Sequence, residues 1–301
     1  MVSRIFDSTS NIAKLFQISK KILNYDLLDL CVNGPIERLS RTEFCQPAVF
    51  VASLAAVEYL RVSKDQEVER CVATAGFSLG ELTSLVFSGS ISFEDGLRLV
   101  HLRAQAMQIA SDAIPSGMAT VFLRAGSNLN IALEASREWC KRKGIDNSEA
   151  VCSITSHLFP HCKVIGGHEE ALKFIEANGK DFGIKRIRKL SVSGAFHTAL
   201  MTPETQQVLA NALDNITVEM PNISCYSNYN GLPHRNPINI KKNLVLQMSN
   251  SVKWEQILHN LYDRPSSIYP TTYECGPGTA LLSTLHLVNR EARVRSKNVL
   301  V

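Results

Sequence analysis

AGFSLGELTSLVFSGS, residues 75–90, sets a serine between two glycines directly ahead of an apolar run with helical spacing. Upstream, CVATA at 71–75 is short, apolar and followed by Gly76, which predicts a buried strand from Cys71 to Ala75. Downstream, Glu81 to Gly89 predicts a helix closed by the Ser-Gly-Ser at 88–90. Strand, Gly-Phe-Ser-Leu-Gly turn and helix make the G-x-S-x-G pattern of a nucleophile elbow, in which a sharp turn exposes the serine hydroxyl. The N–H of Leu79 would then face the reacting carbonyl oxygen, with the helix start adding partial positive charge. Two readings stay open at this level: Ser78 as a nucleophile, and Ser78 as a small residue in a tight turn.

Outward from the elbow, periodicity predicts helices over Ile12 to Leu30, Gln46 to Arg61 and Phe93 to Ala113, the last opened by Ser92 as N-cap. From Met118 the texture changes. MATVFL, AVCSIT, CKVIGG and IKRIRKLSV read as strands, with helices at Asn130 to Lys143 and in HEEALKFIEANG. This β-α-β-β-α-β order is the split βαβ, ferredoxin-like pattern. The expected architecture is therefore α/β: a large subdomain with a parallel sheet core, α/β-hydrolase-like, from 1–117 and 191–301. A ferredoxin-like small subdomain at 118–190 is inserted into it.

Hydrophobic residues make up 45% of the 301 and charged residues 20%, ordinary globular usage with enough chain for a substantial core. A net charge of +4 suits an acidic partner but falls far short of a nucleic-acid binder's basic footprint. Eight cysteines without a C-x-x-C pair read as reduced thiols. The most apolar run, PAVFVASLAAVEYL, is interrupted by Ser53 and Glu58 and reads as a buried helix, so no membrane partner is expected.

A serine nucleophile needs a base and oxyanion donors. Among eight histidines, His101, His234, His259 and His286 fall in helices or polar loops and read as structural or surface residues. His157, His161 and Cys162 resemble metal ligands, but Pro160 disrupts a helical i, i+4 presentation, and no metal is expected. His197, in SVSGAFHTALM, follows a strand and a glycine turn directly before a helix, a good place for a rigid base. Arg103, in VHLRAQAMQ, is either a solvated helix charge or a buried guanidinium clamping a substrate carboxylate.

GFSLGELTSLVFSGSISFEDGLRLVHLRAQAM, SVSGAFHTALM, SVKWEQ, YECGPGTAL and CQPAVFVASLAAVE, spread over Tyr25 to Leu287, resemble the malonyl-CoA:acyl carrier protein transacylases. Phe77 before the serine is similar to the animal mitochondrial type, where bacterial relatives usually carry histidine. The resemblance implies that Ser78 takes the malonyl group from malonyl-CoA as an oxyester and passes it to the phosphopantetheine thiol of acyl carrier protein, supplying fatty acid synthesis. It implies His197 as general base and acid, the Leu79 N–H as oxyanion donor and Arg103 as partner of the malonyl carboxylate. Gln247 would orient the histidine through its backbone carbonyl, so no third carboxylate is required, and Gln46 would line the pocket. It further implies no cofactor, mitochondrial localisation and an acidic carrier partner, for which Lys185 to Lys189 and Lys241–Lys242 are candidate docking charges. A monomer is expected.

Members of that family begin with a strand and an F-P-G-Q-G-S-Q loop that this sequence lacks; Met1 aligns just after the loop. The expectation is a chain shortened at its start, with activity in question. Two alternatives follow: a binding module for carrier protein that turns over poorly, and an α/β-hydrolase esterase. The esterase would need an acidic residue between Ser78 and His197 and a glycine-rich oxyanion loop upstream, and Arg103 would have no role in it.

Overall fold

The computed structural model describes residues 2, 9–145, 150–299 and 301; Met1, aligned above just after the family's loop, lies outside them. Four helices come first: α1 (Ser10–Leu23), α2 (Leu27–Asn33), α3 (Ile36–Leu39) and α4 (Thr42–Glu69). The single helix expected over Ile12 to Leu30 is two. Asn24 ends α1 in the left-handed region at φ 61°, and the Asp26 side chain starts α2 by accepting from Asp29 N. Helix α4 runs beyond the expected Arg61, across a kink at Lys64. By length and composition it would suffice to cross a bilayer, but Phe50, Val51, Ala52, Ala55 and Ala56 are fully buried within the protein. Phe50 stacks on Phe93 at 5.8 Å between centroids. Full burial of such a side chain contributes about 1.5–3 kcal/mol.

The elbow follows as β1 (Ala73–Thr74) and α5 (Leu79–Phe87), then α6 (Phe93–Ala113) with Ser92 accepting from Asp95 N as its cap. Between 116 and 189 lie β2 (Ser116–Leu123), α7 (Leu129–Arg142), β3 (Cys152–Phe159), β4 (Cys162–His168), α8 (Glu169–Asn178) and β5 (Ile184–Lys189). They form an antiparallel sheet ordered β3-β4-β2-β5, the ferredoxin-like arrangement. Helices α7 and α8 pack together against it over Val121, Leu133, Ile165 and Ile175. The chain continues with α9 (Pro203–Asp214), β6 (Ser224–Cys225), α10 (Pro237–Gln247), α11 (Trp254–Leu261), β7 (Thr272–Cys275), α12 (Ala280–Val288), α13 (Arg290–Val294) and β8 (Ser296–Val299).

Among the described residues, strands pair in parallel as β1 with β6 and β7 with β8, and Ser156 forms an isolated parallel bridge with Val252. The strand expected to be buried from Cys71 to Ala75 is thus two residues long, and Val72 is 60% exposed. The reason is local: among the described residues β1 pairs with β6 alone, and it shares with β7 the wall of a cleft of about 750 Å³.

The segment after α10 is joined to the small sheet. Val252 N donates to Thr155 O and His157 N to Val252 O, both at 2.9 Å. Lys163 Nζ meets Glu255 Oε2 at 2.7 Å, with both side chains largely buried. The segment that follows α10 is therefore anchored on the small sheet.

Candidate active site

Ser78 has φ 52° and ψ −104°, a conformation that costs a non-glycine residue about 1–3 kcal/mol. Three hydrogen bonds hold it there. Its N–H donates to Asn228 Oδ1 at 2.6 Å, Asn228 Nδ2 donates to Gly76 O at 2.8 Å, and Gln247 Nε2 donates to Ser78 O at 2.9 Å. The turn is tight enough that a Cβ on Gly76 would lie 1.9 Å from Gly80 O. Gly76→Ala is accordingly expected to destabilise the chain by about 3 kcal/mol, read as a lower denaturant midpoint. An unchanged midpoint would contradict this packing. Leu79 opens α5, where a helix leaves its first N–H groups without intrahelical partners.

His197 also has positive φ, 61°, and is 4% exposed. Its N–H donates to Met248 O at 3.0 Å, so backbone and ring are both fastened to the end of α10. The ring places Nδ1 2.7 Å from Gln247 O and Nε2 2.7 Å from Ser78 Oγ. A carbonyl only accepts, so Nδ1 carries the proton and Nε2 turns its lone pair to the serine hydroxyl. Burial, and then the neighbouring Arg103 charge, push the His197 pKa down to about 4. The imidazole is therefore neutral, and competent as a base, at neutral pH. The sign follows directly: activity persists as pH falls below the usual imidazole range and is lost on approach to about 4. The acid limb of kcat/KM should lie there, and a limb near 6.5 would show a solvated base instead.

Arg103 projects from α6 and is 1% exposed, which rules out the solvated-charge reading. Nη1 donates to Gln46 Oε1 at 2.6 Å, and Nη2 to Gln247 Oε1 at 2.9 Å and Ser78 Oγ at 3.1 Å. Burial lowers its pKa to about 10, partly offset by Glu81, so the guanidinium stays charged. Its three acceptors are neutral oxygens, and its remaining N–H donors leave capacity for a carboxylate. Ser78 Oγ thus sits between a base and a cation, an arrangement that favours loss of its proton.

Tertiary structure brings together Ser78, His197, Arg103, Gln46 and Gln247 from five separate segments. Phe77 packs edge-on against Trp254 at 5.6 Å, which links the elbow to the SVKWEQ motif. His157 and His161 stand apart from this site, on β3 and in its turn to β4. Three residues in the network escaped the sequence reading: Glu81, Asn228 and His234. His234 is not on the surface; it is 8% exposed, and its Nε2 lies 3.0 Å from Glu81 Oε1. The available signal was Glu81 itself, a charge three residues after Ser78 on the helix face that must turn inward.

The acyl transferase domain family matches residues 9–287. The chain is 46% identical over 282 residues to the human mitochondrial malonyl-CoA-acyl carrier protein transacylase, covering 93% of this chain and 72% of that protein. It is 43% identical over 288 residues to the probable mitochondrial enzyme of Drosophila melanogaster, covering 95% and 75%. The crystal structure of malonyl-CoA:acyl carrier protein transacylase from Xanthomonas oryzae superposes with a TM-score of 0.85 at 29% identity, over 100% of this chain and 90% of that one.

Proposed function

Because the chain belongs to the acyl transferase domain family, we propose that Ser78 is the residue that carries the acyl group, with His197 as its base and Arg103 as its selector. The chain is an acyltransferase, and its reaction is transfer of malonyl from malonyl-CoA to acyl carrier protein for fatty acid synthesis.

In the first half-reaction Ser78 Oγ attacks the thioester carbonyl carbon while His197 Nε2 takes the hydroxyl proton. The new C–O bond leaves an oxyanion, which accepts from Leu79 N–H. Collapse breaks the C–S bond, and His197 returns its proton to the departing coenzyme A sulfur. In the second half-reaction His197 deprotonates the phosphopantetheine thiol, whose sulfur attacks the malonyl ester, and Ser78 recovers the proton. Two acyl transfers at one serine make the kinetics ping-pong. Gln247 O stabilises the imidazolium, and Gln46 and Gln247 hold the guanidinium that receives the malonyl carboxylate. No cofactor enters this sequence of steps. The location is proposed as mitochondrial, by analogy with the named animal relatives.

Segments 118–190 and 1–117 with 191–301 are proposed as the small and large subdomains. Acidic carrier protein would approach the basic strand β5, where Lys185, Arg186, Arg188 and Lys189 are exposed, and Lys242 on α10. The observation that carries the reading is the 2.7 Å contact of Ser78 Oγ with His197 Nε2 beside a buried arginine. Incubation with radiolabelled malonyl-CoA should label the Ser78 peptide, and adding carrier protein should move the label to its thiol. Hydrolysis of neutral esters would favour the esterase, and an unlabelled protein that still binds carrier would favour the binding module.

A further inference from the structure

The network behind the site converges on one side chain that the reaction never touches. Glu81 lies in the first turn of α5, and its side chain is 0% exposed. Its Oε1 faces His234 Nε2 at 3.0 Å, while Oε2 accepts from Gln247 Nε2 at 2.8 Å and from Asn228 N at 2.9 Å. A carboxylate accepts and a guanidinium donates; neither can do the reverse. Gln247 stands between them, giving its NH₂ to Glu81 and its Oε1 to Arg103. Accepted by Glu81 on one side and donated to by Arg103 on the other, that amide has one permitted orientation.

The same anchoring reaches the rest of the site. The Gln247 NH₂ that meets Glu81 also donates to Ser78 O, and the Gln247 backbone carbonyl orients His197. Asn228, held by Glu81 at its backbone N–H, straps Ser78 N and Gly76 O across the strained elbow. His234, its Nδ1 buried, faces Glu81 through Nε2. We propose that Glu81 is a positioning residue for malonyl transfer: clamped by His234, it sets the polarity of the Gln247 amide and thereby aligns Arg103, His197 and Ser78 together. This rests on the assignment of Ser78 and Arg103 made above.

Replacing the carboxylate by an amide loosens the constraint, leaving Ser78 O as the remaining acceptor for the Gln247 NH₂. A glutamine at 81 sets its own NH₂ either against His234 or, with the amide turned, against the Gln247 and Asn228 donors, and in either arrangement the charged hold on Gln247, and through it on Arg103, is lost. The guanidinium shifts, and a malonyl carboxylate loses more than an acetyl methyl does. Single-turnover quench of Glu81→Gln with labelled malonyl-CoA should show acylation of Ser78 slowed roughly a hundredfold, a loss typical of misplaced reacting groups. Half-saturation should stay within about threefold, and the preference for malonyl- over acetyl-CoA should fall at least about tenfold. A lesion that only loosened the fold would slow both acyl groups alike.

Unchanged rate and selectivity in a folded variant would overturn the proposal, as would equal loss for the two thioesters. Should Glu81→Gln not fold, the native protein supplies the test. The Gln247 side-chain NH₂, assigned in ¹⁵N-labelled protein by its absence from Gln247→Leu, should exchange with deuterium far more slowly than a free side-chain amide; exchange as fast as a free one overturns the clamp. Failure of the native protein to label Ser78 at all would instead remove the underlying assignment, so the two failures are distinct.

Discussion

Ser78→Ala is expected to abolish the malonyl-enzyme and to lower malonyl transfer by roughly 10⁴-fold or more. The size follows from the geometry. Oγ is the atom shared by the His197 base at 2.7 Å and the Arg103 donor at 3.1 Å. Removing it leaves a base with no hydroxyl to deprotonate. Alanine tolerates the φ of 52° no better and no worse than serine, and the three bonds that hold the elbow use backbone groups of Ser78 and Gly76. The variant should therefore fold with an unchanged melting temperature, so that loss of the adduct reads out chemistry. Intact-mass measurement after malonyl-CoA decides the matter: an adduct that persists on another residue sinks the assignment of Ser78.

Arg103→Ala is expected to slow malonyl transfer by about 10²–10³-fold while narrowing the gap to acetyl-CoA. A malonyl carboxylate entering this buried site without the guanidinium forfeits its charged hydrogen bonds and keeps its desolvation cost, about 1.5–3 kcal/mol per bond. Discrimination against acetyl does not come from leaving the arginine without hydrogen-bond partners. Gln46, Gln247 and Ser78 Oγ already satisfy three of its N–H groups. Selection against acetyl then comes from the missing counter-charge for a cation 1% exposed, rather than from empty hydrogen bonds. Alanine also leaves a cavity, so Arg103→Met, which nearly preserves volume, is the companion variant. Unchanged discrimination in both would rule out the clamp.

The elbow was legible in sequence because its turn is local. A glycine where a Cβ would strike backbone and a helix start follow from residues 75–81 in order, while the positive φ of the serine is held by Asn228 and Gln247 from far along the chain. The ferredoxin-like insertion was legible for the same reason, since alternating strands and helices carry their own periodicity. Arg103 was visible only as two alternatives, because an amphipathic helix shows one charged residue the same way whether it meets water or a pocket. Helix ends were misplaced where a single residue decided them, as Asn24 does between α1 and α2.

What the sequence by itself determined is the order of most elements, the serine set between two glycines ahead of a helix, and the motifs that reappear in the family. Tertiary structure alone decided which groups face one another. Glu81 was only the first residue of an expected helix and His234 one of four histidines read as structural or surface residues, yet each is buried against the other 153 residues apart. Whether a buried amide shows its oxygen or its nitrogen depends on the donors and acceptors around it. Those arrive from chain segments whose meeting no local pattern records, because long-range contact is set by packing of whole faces and not by spacing along the chain.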